Sequence, residues 1–237
     1  MSPRREPRQV SRPGGDGTRF PGYDVLQQAR HWDAVTAGTV LARIGRSPDL
    51  RFFTVAEEAC AGALFDHLLA QWGDEKVPVL QWVDARLAEN QTDGWRYEDM
   101  PEDGEAWRRS LAALDEDAAH HHAGRTFAAL ERNDQARRIQ AVQDLGAAPW
   151  YGMPAAHVWS LWTRYACTAF YSHPWAWNEI GFGGPAYPRG YLRLGTGARE
   201  PWEVADHNPV NPVTHPAGTH AERRPGGPGD EAERSAS

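Results

Sequence analysis

A few groupings in this chain have residue types and spacings that could do chemistry. Asp117 and His120 stand three apart in a helical pattern, as one carboxylate-x-x-His half of a di-iron site does on a helix bundle. A complete site needs a second copy and two further carboxylates on facing helices, and the sequence holds no second copy. His120, His121 and His122 read more simply as a helix end, where imidazoles suit the negative end of the helix dipole. His173 and Glu179 could form an acid/base pair, but the sequence around them implies no cleft. Residues 181–186, GFGGPA, match G-x-G-x-x-A, yet that fingerprint works only between a strand and a helix N-terminus. Here it follows a helical pattern and runs into Pro185 and Pro188, which makes it a turn or docking segment. Cys60 and Cys167 lie in separate helical patterns and read as small buried hydrophobes, with an internal disulfide or a bond to a partner left open. The motifs for covalent haem, paired-cysteine zinc and a nucleophile elbow are absent from the sequence. His207, His215 and His220 sit in a tail whose composition reads as disorder. The expectation is a chain with no cofactor or metal of its own.

The elements that would position these groups are helices throughout, so the predicted fold class is all-α: a single bundle-like domain over residues 20–204. Residues 1–19 and 205–237 have almost nothing to bury and are expected to be disordered. A first helix is predicted over residues 24–44, with Leu26, Ala29, Trp32, Ala37, Val40 and Leu41 inward. Thr54 and Glu57 form the S/T-x-x-E start of a second helix, whose stripe is Ala61, Leu64, Phe65, Leu68, Leu69 and Trp72, ending at Gly73. Pro78 starts a third, carrying Val79, Leu80, Val83 and Leu87. Trp107, Leu111, Leu114 and Ala118 mark a fourth after Pro101. Phe127 and Leu130 belong to a shorter piece, and Ala136, Ile139 and Val142 to a helix from about Asn133. The strongest pattern starts at Pro154, with Ala155, Val158, Trp159, Trp162, Ala166, Ala169 and Phe170 on one wide face.

That helix runs into YSHPWAWNEIGFGGPAYPRGY, residues 171–191, in which prolines and glycines are expected to forbid further helix. So many rings in an irregular segment imply a surface to lie on, either the chain's own domain or a partner. On the partner alternative Tyr171, His173, Trp175, Trp177, Glu179, Phe182, Tyr187 and Tyr191 are the predicted docking set, with His173 and Glu179 anchoring the segment by hydrogen bonds and the rings supplying contact area.

The totals bound the function. Eleven tryptophans in 237 residues call for large aromatic anchors, in a core or at an interface. A net charge of −7 argues against a general nucleic-acid binder. No run of about 18 apolar residues is present to span a membrane. Arg4 and Arg5 are followed by no apolar stretch, so no export signal is read and a cytoplasmic location is expected, with a periplasmic or membrane-peripheral one only if a partner carries the chain there.

Three stretches, FFTVAEEACAGALFDHLL, VPVLQWVDARL and TAFYSHPWAWNEIGFGGPAYPRGY, resemble the small subunit of gluconate 2-dehydrogenase, called subunit 3. The preceding YDVLQQARHWDAVTAGTVLARIG resembles an N-terminal extension found in part of that family. The resemblance implies an all-helical, noncatalytic accessory subunit that stabilises or assembles a large flavoprotein of the glucose–methanol–choline oxidoreductase type. FAD is then expected in that partner, with a cytochrome c subunit as a further member of the complex. It places no catalytic residue in this chain. The competing readings are a self-packed helical domain without a partner flavoprotein, and a metal-binding helical enzyme using Asp117, His120, His173 or Glu179.

Overall fold

The computed structural model describes residue 20 and residues 23–72 and 75–185. Their regular structure is helical apart from one tiny hairpin. The chain opens with a 3-10 helix, Val25–His31, and then α1, Ala34–Ala42. The bundle follows with α2 (Val55–Leu68), α3 (Val79–Ala88), α4 (Asp103–His121), a 3-10 turn at Phe127–Ala129, and α5 (Arg132–Asp144). Strands β1 (Pro149–Trp150) and β2 (Met153–Pro154) lead into α6 (Ala155–Tyr171) and α7 (Pro174–Ile180).

Helix α6 is the axis of the domain, packing on α2, α3, α4, α5 and α7. Val158, Trp162 and Ala166 on α6 are fully buried, against Leu64 and Phe65 of α2 and Trp107, Leu111 and Leu114 of α4 in one continuous core. The spacings that put these residues on one face of each helix are the ones visible in the sequence. On α5 the inward residues are Gln135, Ile139 and Val142, while Ala136 faces out. Gln135 lies buried because its amide donates to the Phe127 carbonyl at 3.1 Å and its carbonyl meets the His67 ring at 2.9 Å. A polar residue thus takes the place expected of an alanine.

The predicted helix over residues 24–44 is broken at Trp32. Asp24 caps the 3-10 helix through the Leu26 amide, and Asp33 starts α1 by accepting from the Thr36 amide at 2.7 Å. Two aspartate caps nine residues apart define two short elements, each with its own start. Trp32, in the extended residue between them, is buried. Leu41, expected inward, is 43% exposed.

Thr54 and Glu57 close the capping box as predicted, and Arg108 binds both oxygens of Glu57 at 2.9 and 2.7 Å. The approach to α2 is held by Asp84 of α3. Its carboxylate, completely buried, accepts from the backbone amides of Arg51 (2.6 Å), Phe52 (2.9 Å) and Phe53 (2.8 Å). A buried carboxylate is tolerated only when hydrogen-bonded in this way. The hairpin, not expected from the sequence, is short enough to escape any alternation pattern. Its two turn residues, Tyr151 and Gly152, both have positive φ (47° and 75°), the twist that a two-residue hairpin loop requires.

Asp84→Asn keeps the shape but swaps a charged acceptor for an amide whose NH2 faces amide donors. We expect it to cost about 2–3 kcal/mol, read as a lower denaturation midpoint with an unchanged slope.

Candidate docking surface

The predicted docking segment is not irregular. His173 and Pro174 start a new helix instead of ending structure: the His173 Nδ1 accepts from the Trp175 amide at 3.2 Å, and Pro174 takes the first helical position, where its missing N–H costs nothing. Helix α7 ends at Gly181, whose φ of +66° is the left-handed stop that glycine adopts without strain.

Successive helical residues are about 100° apart, so Trp175 and Trp177 project from opposite faces of α7. Trp175 enters the main core beside α6. Trp177 enters a second, smaller core with Tyr23, Val25, Trp32 and Val40, and its indole donates to the Tyr171 carbonyl at 2.6 Å. The N-terminal segment therefore lies along α7 as a strap. Polar bonds stitch it down: the Val25 amide to Asn178 Oδ1 at 2.8 Å, the Tyr23 hydroxyl to the Phe182 carbonyl at 2.9 Å, and Arg43 to the Ser172 carbonyl at 2.6 Å. The fit is close enough that a Cβ on Gly184 would sit 2.6 Å from the Trp32 ring, and one on Gly181 2.8 Å from Phe20.

The predicted docking set thus divides. Trp175, Trp177 and His173 are buried within this chain, so contact area for a partner does not come from those two indoles. Tyr171 (47% exposed), Phe182 (45%) and Glu179 face outward, joined by Ile180 (49%), which the ring-based reading missed. Tyr187 and Tyr191 lie outside the described residues. Glu179 also borders a cleft of about 480 Å³ between α7 and the end of α2, walled by Leu69, Trp72, Phe170 and Trp175.

The other candidate groups are tied into the scaffold. Asp117 faces His121 (3.5 Å) and Arg138 (3.6 Å), while His120 is exposed. Among the described residues no three or more His, Cys, Asp or Glu side chains gather as metal ligands. Buried Asp103 accepts from the Tyr165 hydroxyl at 2.6 Å. Burial pushes the Tyr165 phenol well above the ordinary tyrosine range, the bond to Asp103 and its charge add to this, and Arg86 and Arg164 oppose it. Arg86 and Arg164 both pair with Asp93, pinning the loop between α3 and α4. Both cysteines are free. Cys60 is buried with its thiol toward the Leu111 carbonyl, but Cys167 is exposed, against expectation, because it falls on the outer face of α6.

The glycine run 181–184 does not fit a dinucleotide. It begins at the C-terminal stop of α7, the negative end of a helix, whereas a pyrophosphate needs the amides of an N-terminus. No helix of the described residues is long and apolar enough to cross a membrane.

These features define an all-helical domain whose buried polar groups are structural and whose outward-facing features are surfaces. The family model for gluconate 2-dehydrogenase subunit 3 matches residues 56–184, more than half of the chain, from the first turn of α2 to Gly184. The chain belongs to the gluconate 2-dehydrogenase subunit 3 family. No curated protein and no solved structure matches it. The strap lies outside the matched range.

Two outcomes follow from the division of α7. Trp175→Ala should cost the whole domain about 3–5 kcal/mol, whereas Trp177→Ala should release the strap with the main unfolding transition little changed. Limited proteolysis before residue 46, run beside thermal unfolding, separates the two. A pH dependence is also built into the strap. Burial, with the charge of Asp24 adding, pushes the Tyr23 phenol from 10 up to about 12. A phenol kept neutral by the fold contributes its full stability below pH 10 and loses it as pH rises from about 10 through about 12. The strap should detach in that window, seen as a change in hydrogen exchange over residues 23–45. Tyr23→Phe should remove the step.

Proposed function

We propose that the chain is a noncatalytic accessory subunit of a flavin-dependent oxidoreductase acting on a sugar or sugar acid, and that it stabilises or assembles the FAD-containing large subunit. The observation that carries this reading is the family match over residues 56–184, since that family is a subunit of a multi-subunit dehydrogenase. The geometry supports it from the other side. Asp84, Asp103, Ser110 and Gln135, all buried, direct their polar atoms at backbone amides, backbone carbonyls or neighbouring side chains. Groups so engaged hold a scaffold and are poorly placed to transfer protons to a substrate. FAD belongs in this reading to the partner, because the glycine run of this chain offers a helix C-terminus where a phosphate needs an N-terminus.

The test is to recover the tagged chain from its native cells under gentle conditions, record the absorbance of bound flavin, and identify co-eluting chains by mass. A flavoprotein at a fixed ratio, with sugar or sugar-acid oxidation in the eluate, is the expected result. A chain recovered alone and colourless would instead establish a self-packed domain.

A further inference from the structure

We infer that the cleft between α7 and the end of α2 binds the chain's own residues 187–194, YPRGYLRL, with a tyrosine on its apolar floor and the two arginines at its acidic rim. The inference goes beyond the accessory-subunit reading and does not depend on it.

The cleft is apolar inside and negative at its edge. Leu69 and Phe170, both half-buried, form its floor beside the Trp175 ring, and the space they enclose is about 480 Å³. Glu75, ahead of α3, and Glu179, on α7, are exposed at its rim. Lys76 is the one cation among the described residues that line it, and its ammonium meets both oxygens of Asp66 at 2.7 and 2.6 Å. That charge is matched within the chain, so the two glutamates set the sign of the rim. An occupant that suits such a site carries large apolar side chains interleaved with positive charge.

The sequence that follows α7 has that composition. Residues 187–194 hold Tyr187, Tyr191, Leu192 and Leu194 with Arg189 and Arg193 and no acidic residue, in a chain whose net charge is −7. Residues 1–19 and 205–237 contain no Phe, Trp or Tyr, so neither terminal stretch offers a ring for the floor. The reach is sufficient as well. Gly184 lies against Trp32 and Val25 on the strap side of α7, whereas Trp175, Ala176 and Glu179 face the cleft. A helix with its side chains is about 10–12 Å across. At up to ~3.5 Å per residue, residues 186–191 cover about 20 Å, enough to bring Tyr191 round the end of α7 to the floor. Tyr191 in this position serves the fold, as Trp177 does under the strap, and Tyr171, Ile180 and Phe182 are what α7 and its flanks present to a partner.

The experiment measures chymotryptic cleavage between Tyr191 and Leu192 in the isolated full-length chain. Four forms are compared: the wild type, a rim reversal (Glu75→Arg with Glu179→Arg), a segment reversal (Arg189→Glu with Arg193→Glu), and both reversals together. Cleavage of a docked segment follows the fraction that is open. Each reversal alone should speed cleavage about tenfold or more, with helicity unchanged, and the combined variant should return towards the wild-type rate. The combined variant has the same cleavage sequence as the segment reversal, so a difference between those two reports the cleft and not the preference of the protease. Tyr191→Phe, which keeps the ring and the cleavage site, should be cut as slowly as the wild type. Equal rates in all four forms would overturn the inference, and so would reversals that each speed cleavage without mutual rescue. Protection that falls on dilution would place the segment of one copy in the cleft of another and overturn the intrachain assignment.

Discussion

Helix α7 has to be buried on both sides, and much of the rest of the domain is arranged to do it. Seven residues, PWAWNEI, carry two indoles on opposite faces. A short helix with large rings on opposite faces needs cover on both of them, and in α7 the edge carrying Glu179 and Ile180 is what stays exposed. The main core takes Trp175 and Ala176 on one side. The other side, with Trp177 and Asn178, would meet water unless something else covered it. The strap does so, and it brings hydrogen-bond partners as well as rings: the Val25 amide donates to the buried Asn178 side-chain oxygen at 2.8 Å. Ring burial and polar satisfaction therefore depend on the same segment, which explains why two short capped elements with little helical strength of their own hold one position.

Buried carboxylates do in the bundle what the strap does on α7. Asp84 gathers three consecutive backbone amides from the turn before α2. Asp103, at the start of α4, takes the hydroxyl of Tyr165, so a residue on the central helix is keyed to a helix end. Their cost in desolvation is offset by bonds that fix where loops enter helices. The chemistry of these acids is positional.

The helices of the bundle were legible in the sequence because each buries one stripe, and a stripe at helical spacing is a strong signal. The capping box at Thr54 and the proline start at Pro78 were equally plain, since both act within four residues. The errors fall where the deciding contact is distant. Trp32 looked like one turn of a continuous helix, but its burial against α7 favours an extended residue there. Pro174 looked like a breaker because the histidine that caps the next helix is not among the usual capping residues. Trp-Ala-Trp looked like a partner's footprint, since nothing local reveals that a strap some 140 residues earlier covers one of the rings. The outward set of Tyr171, Glu179 and Phe182 was within reach, but Ile180 was not, because it is aliphatic and the search followed aromatics.

That distinction bears on how such a subunit can exist before it meets its partner. Bare indoles on a surface are adhesive to anything apolar. Trp72 and Trp95, the two exposed tryptophans among the described residues, each lie beneath an arginine guanidinium. A cation over a ring lowers its apolar exposure while keeping the side chain solvated. The exposed aliphatic side chains, Val35, Leu41, Val55, Leu145 and Ile180, are small and spread over several elements. Aliphatic side chains exposed singly in this way are only weakly adhesive. The chain thus keeps most of its aromatic residues for its own fold, and covers the two tryptophans left at its surface with its own arginines.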